Sequence, residues 1–272
     1  MEISLQSAED IKFTKIERAI FNVLKGTLQY PANPQVKGIK LADDICFFGK
    51  SIENDVHPGE TIWAIWSVII DIVYYIPPDH PWQDSLIQCL NNLRQRDGTV
   101  TGKSQSRLWK DLPNLNFCFR EKWDDPTESG EELNQDFAKW KNLNSFVARL
   151  TSTDFAPWMN LPIWQLRTAL EEPPERGSTM ECRVWAASEW LIQCANVILD
   201  EMDSKEELDE STARAIKTGP LFDGNPPLSV ERWEFWRKRL SEISNDTSSL
   251  ELDSAISERI SDALKSMDAV KR

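Results

Sequence analysis

Three ionisable residues fall on faces that are otherwise apolar. Asp71 lies inside Glu60–Ile76, ETIWAIWSVIIDIVYYI, the most apolar run of the chain. Arg167 shares a helical face with Ile163, Leu166 and Leu170. Arg183 heads a stripe of Ala187, Trp190, Cys194 and Val197, at a helix start where a cation is electrostatically misplaced. Charges on such faces support two readings. In one, Asp71 pairs with one of the two arginines in a buried structural salt bridge. In the other, Asp71, Arg167 and Arg183 form a polar cluster that fixes or polarises a ligand, and Trp164, Trp190 and Trp233 line the wall of its pocket. Neither reading calls for a metal or a cofactor.

A second set of residues could do different chemistry. Asp124-Asp125-Pro126-Thr127-Glu128 and Asn245-Asp246-Thr247-Ser248-Ser249, followed by Asp253, offer the hard oxygen donors that magnesium takes. The first resembles the aspartate-rich D-D-x-x-[DE] motif of class I terpene synthases. The second is similar to their N-D-x-x-S-x-x-x-E motif, with Asp253 in place of glutamate. The resemblance implies that Asp124, Asp125, Glu128, Asn245, Ser249 and Asp253 would hold magnesium and a diphosphate. The surroundings argue against it. Pro126 and Gly130 put the first motif in a loop, and Asn245–Ser249 has the residues of a helix connector. Gly102-Lys103-Ser104 resembles the end of a phosphate loop, but the required first glycine is Asp97. His57 and His80 each stand beside a proline in a turn and suggest neither a zinc site nor a catalytic triad.

Composition narrows the classes. The 272 residues carry 31 Lys+Arg against 44 Asp+Glu, a formal charge of −13, which argues against DNA and against a tRNA-bound aminoacyl donor. There are 12 tryptophans and only 3 tyrosines, and tryptophan serves both cores and ligand walls. The 5 cysteines are widely spaced, and Met1–Asp10 lacks a basic start followed by an apolar run. Reduced thiols in a cytoplasmic or nuclear protein are the expectation.

The elements that must position these residues are helices. Lys12–Leu28 places Ile16, Ala19, Ile20, Val23 and Leu24 on one face, and a segment from Val36 to Ile52 carries Ile39, Leu41, Ile45 and Phe48. Glu60–Ile76 is shorter than the roughly 20 apolar residues of a membrane span, contains Asp71 and ends at Pro77-Pro78, so it reads as a core helix. Gln83–Gln95, short turns within Leu108–Trp123, Glu132–Leu150, and Leu161–Glu171 capped by Asn160 follow. Then come Thr179–Met202, with a polar stripe of Glu189, Gln193, Asn196 and Asp200, and a short helix around Glu210–Lys217. Pro226-Pro227 and the cap Ser229 start a helix with Trp233, Trp236, Leu240 and Ile243 on one face and Arg232, Arg237, Lys238 and Arg239 on its remaining surface. A last helix holds Leu252, Ile256, Ile260, Leu264 and Met267.

The pattern predicts an all-α protein of about ten helices with no significant sheet. Residues 1–272 read as one helical domain, with 96–131 as a loop-rich insertion or hinge.

At GPLFDGNPPLSVERWEFWRKRL (Gly219–Leu240) the chain resembles the C-terminal signature of a fungal family of unknown function. The resemblance extends to IPPDHPWQDSLIQCLNNL (Ile76–Leu93), LWKDLPNL (Leu108–Leu115), LPIWQLRTALE (Leu161–Glu171) and AASEWLIQCANVIL (Ala186–Leu199). It implies a fungal, intracellular helical protein and carries over no catalytic residue. Some fungal proteins of this description act in secondary metabolism. The expectation is therefore a protein that binds or transforms an apolar or aromatic metabolite. The alternatives are a non-catalytic module, with a protein partner or a second copy, and an enzyme of an activated substrate, either an allylic diphosphate or an aminoacyl donor.

Overall fold

The computed structural model describes residues 3, 5–52, 58–96, 100–101, 106–128, 134–153, 155, 158–205, 207–224 and 226–270. His57 and Gly102-Lys103-Ser104 lie outside the described residues. Twelve α-helices account for most of the described chain, so the protein is all-α. Among the described residues the extended pairing is a two-residue antiparallel ladder, Val100–Thr101 against Ser106–Arg107.

The residues group into two compact units, 1–125 with 138–146, and 126–137 with 147–272. The boundary at Asp125/Pro126 falls within the 96–131 stretch, and one helix contributes residues to both units.

The first unit holds α1 (Gln6–Glu9), α2 (Lys15–Gln29), α3 (Pro34–Ile52), α4 (Pro58–Val73), α5 (Pro81–Arg94) and α6 (Leu115–Glu121). Its centre is α4, where Ile62, Ile65, Trp66, Val68, Ile69, Ile70, Ile72 and Val73 are all buried, as a helix that is apolar nearly all round requires. Trp66 satisfies its indole N–H on the carbonyl of Pro113 at 2.8 Å. Helices α3 and α5 pack closely because Gly38 lacks a side chain: a Cβ there would stand 2.5 Å from that of Gln88. Thr14 and Glu17 form a capping box at the start of α2, and the His80 Nδ1 accepts the Trp82 N–H at the start of α5.

Two expected faces are rotated. In α2 the buried residues are Ile20, Phe21, Leu24 and Leu28, whereas Ile16 and Val23 are exposed. The largest side chain, Phe21, decides the inward face. In α3 the buried line is Lys37, Gly38, Leu41, Ala42 and Ile45, which leaves Ile39 and Phe47 in solvent because close approach to α5 selects the glycine face.

The second unit holds α8 (Asn160–Leu170), α9 (Gly177–Met202), α10 (Glu210–Ala215), α11 (Val230–Asn245) and α12 (Ser254–Ala269), and α7 (Asn134–Thr151) contributes to both units. Helix α9 is the organising element and packs against α8, α11 and α12. It kinks at Cys194 (φ −130°, ψ 17°), whose thiol donates to the Ala148 carbonyl at 3.0 Å. The expected stripe of α11 is observed: Trp233, Trp236, Leu240 and Ile243 are buried, and the Ser229 hydroxyl caps the helix by accepting the Arg232 N–H. Asn160, expected as the cap of α8, is its first helical residue, and Met159 precedes it without a side-chain cap.

Candidate functional site

Asp71 is buried, but its partner is neither arginine. The Lys122 ammonium stands 2.7 Å from its Oδ1, brought there by α6, which packs on α4 and ends at Glu121. Tyr74, three residues further along, donates its hydroxyl to the Lys122 carbonyl at 2.6 Å. Burial raises the Asp71 carboxyl above the usual aspartate range, with Lys122 opposing it. The expected pairing with Arg167 or Arg183 is thus corrected. Those arginines belong to the second unit and have partners of their own there.

Arg183 donates from Nε to the Thr127 hydroxyl at 3.0 Å and from Nη2 to the Thr127 carbonyl at 3.1 Å. It fastens a 3-10 turn, Pro126–Glu128, to α9. Glu189 does not belong to a solvated stripe: it is buried and pairs with Arg259 of α12, whose guanidinium lies 3.9 Å from the centre of the Trp185 ring. The partner explains the burial.

Arg167 takes part in a larger arrangement. Trp164, Arg167 and Glu171 stand at intervals of three and four, on one face of the end of α8. Each holds the end of α10 or the irregular segment between α10 and α11. Trp164 donates its indole N–H to the Ala215 carbonyl at 2.7 Å, and Arg167 reaches the Lys217 carbonyl at 3.5 Å. Glu171, with no exposed surface, does most. Its Oε1 accepts from Arg232 Nε and Trp236 Nε1, both at 2.6 Å. Its Oε2 accepts from the Gly219 N–H at 2.6 Å and Arg232 Nη2 at 3.1 Å. Its own carbonyl accepts from the Leu221 N–H at 2.9 Å.

Arg232 is also fully buried, contrary to its expected place on the surface of α11. Its remaining N–H groups donate to the carbonyls of Ile216 at 2.8 Å, Pro227 at 2.7 Å and Lys217 at 3.3 Å. A guanidinium has five donors and a carboxylate about four acceptor positions. Every one is used. The pair can therefore bind nothing further, and it acts as a buried staple for backbone that no helix satisfies. The sequence held a signal for it: Arg232 precedes Trp236 by four residues and so shares its inward face.

The staple shapes a cavity. Residues Pro226–Ser229, held by Arg232 through Pro227, form one wall of a space of about 540 Å³. Met202 at the end of α9, Leu208 in the connector, Ala213 of α10, and Leu228 and Val230 at the start of α11 give it an apolar lining. The exposed Lys205, Glu207 and Glu231 also border it. Its size lies within the range of small-molecule sites. Trp164, Trp190 and Trp233 do not line it: Trp190 and Trp233 are core residues, 0% and 3% exposed, and Trp164 is committed to Ala215.

The acidic motifs are apart from this site. Asp124 and Glu128 are exposed, on coil and on the 3-10 turn. Asn245 ends α11 and donates to the Ser241 carbonyl, Ser249 is exposed in the turn that follows, and Asp253 caps α12 by accepting the Ala255 N–H at 2.8 Å. Among the described residues no three His, Cys, Asp or Glu side chains are placed to hold a metal ion. None of the five cysteines is in a disulfide, and burial pushes the Cys118 and Cys194 thiols up to about 12, where they are inert. Among the described residues no helix is long and apolar enough to cross a membrane.

The fold and its stapled cavity define an all-helical protein with a metabolite-sized recess and a polar pair closed to chemistry. The chain belongs to the family described as protein of unknown function (DUF3632), whose model matches residues 66–240. No curated protein and no solved structure matches it. The matched stretch takes in Asp71, Glu171, Arg232 and the entire lining of the cavity.

Proposed function

We propose that the protein binds a small, uncharged apolar or aromatic metabolite in the cavity beneath Pro226–Val230. The observation that carries this reading is the cavity itself, about 540 Å³ with an apolar lining and one wall fixed by the Glu171–Arg232 pair. Rigid walls lower the cost of ordering a site on binding. The setting, a fungal cytoplasm and secondary metabolism, belongs to the same proposal and rests on the resemblance of the sequence blocks.

The neutral dye N-phenyl-1-naphthylamine tests it. Its fluorescence should rise on saturable 1:1 binding, and Ala213→Trp, which fills the cavity from α10, should abolish the rise while circular dichroism stays unchanged. A dye that ignores the protein, or binds the variant as well as the parent, would leave the non-catalytic interaction module as the better reading.

A further inference from the structure

A second cavity lies in the first unit, at the corner between α2 and α3, ahead of the residues that the family model matches. It measures about 320 Å³, and its lining includes Gly26, Tyr30, Ala32, Val36, Lys37 and Lys40. Two of these residues are unexplained by the packing of the chain itself.

The first is Lys37. It is 8% exposed, yet no carboxylate among the described residues pairs with it. Its ammonium donates to the Leu28 carbonyl at 2.6 Å and lies 5.7 Å from the centre of the Trp82 ring. An ammonium has three donors, and one is spent. The nearby Lys40 is neutralised by Asp44, so the local countercharge is already committed. A buried cation without a counter-ion is costly, and its basicity is depressed by that burial.

The second is Gly26. It occupies the last turn of α2, where glycine costs stability relative to alanine. Its backbone does not have a positive φ, and a Cβ built on it would meet nothing within 4 Å. Neither conformation nor internal packing asks for glycine there. What the missing side chain leaves open is the cavity.

We propose that this cavity binds a small amphipathic carboxylate, with its headgroup on Lys37 and its apolar body among Tyr30, Ala32 and Val36, against the bare backbone of Gly26. One buried, unpaired ammonium matches one negative charge. A phosphate dianion would call for more donors than a single lysine supplies, and no arginine lines the space. The volume sits at the small end of the ligand-site range, which suits a short acyl chain or a single ring.

With the other cavity filled by Ala213→Trp, the test titrates the full chain with octanoate and with octanol, which share an apolar body and differ in the headgroup. Octanoate should bind 1:1 and about 10-fold or more tighter than octanol, the range of a charge-assisted hydrogen bond. Lys37→Met should remove that preference. Gly26→Leu, which fills the space with a residue that a helix prefers, should abolish binding of both and leave the fold intact. Should Lys37→Met fail to fold, the octanol comparison and Gly26→Leu still decide. Equal affinities for the two probes, or octanoate binding that survives Gly26→Leu, would overturn the proposal. So would a loss of octanoate binding in Ala213→Trp, since that variant fills only the other cavity.

Discussion

Glu171 and Arg232, 61 residues apart in the chain, exhaust each other's hydrogen-bonding capacity with no surface exposed. Most buried ion pairs can be replaced by apolar residues at little cost, because desolvation offsets attraction. This one differs, because its outer valences hold mostly backbone: three carbonyls on the arginine side, and the Gly219 N–H together with the Trp236 indole N–H on the glutamate side. Removing both partners would orphan all five. We therefore expect Glu171→Gln and Arg232→Met each to cost about 3–5 kcal/mol in urea unfolding. The double change Glu171→Leu/Arg232→Met should be no more stable than either. Recovery of parental stability in the double variant would show that the pair serves itself rather than the segment.

Two glycines should respond in opposite directions. At Gly219 a Cβ would come within 2.7 Å of the Glu171 Cβ and 2.8 Å of its carbonyl oxygen. Backbone must move to admit it, so Gly219→Ala should destabilise by about 1–3 kcal/mol. At Gly26 a Cβ meets open space within a helix, and Gly26→Ala should stabilise by up to about 1 kcal/mol. Thermal melts of the two variants, measured side by side, check both signs.

Trp164 and Arg167 are fasteners of the segment that Glu171 grips, which sets the size of their effects. Trp164→Phe keeps the ring and loses one hydrogen bond to Ala215, and should cost about 1 kcal/mol. Arg167→Met gives up a long bond to Lys217 and should cost less, about 0.5 kcal/mol. Dye binding in the stapled cavity should be unchanged in both, because neither residue lines it. A large loss of binding in Trp164→Phe with unchanged stability would return tryptophan to the ligand wall.

These residues also show how far the sequence reaches. Apolar content identified α4, which is apolar nearly all round, and periodicity identified the buried stripe of α11, where one face carries nearly all the large apolar side chains. Periodicity misplaced the inward face of α2, where Ile16 and Val23 sit one step round from Phe21, and either stripe satisfies a helical period. Charge is harder still. Arg232 and Glu189 read as solvent-facing by residue type, and what buries them is a partner 61 or 70 residues away that no local window contains. Asp71 was legible as buried and paired but its partner was not, since Lys122 follows a short helix with no clean period. The cavities were illegible for a related reason: they are lined by helix ends and connectors, where periodicity stops.

Asp71 provides the last prediction, which turns on a sign. Its carboxyl is raised by burial despite Lys122, so the folded protein holds the proton more tightly than the unfolded chain does. Its contribution to stability is therefore greatest below the ordinary aspartate value of 3.8 and declines as pH rises from there to the raised folded value. Asp71→Asn cannot titrate. The stability of this variant relative to the parent should increase with pH across that window and then level off. Every other carboxylate titrates in both proteins, so the difference isolates Asp71. Urea midpoints of the two proteins from acid to neutral pH measure it. A difference that instead moves towards the parent as pH rises would mean that the Lys122 ion pair outweighs the burial of its partner.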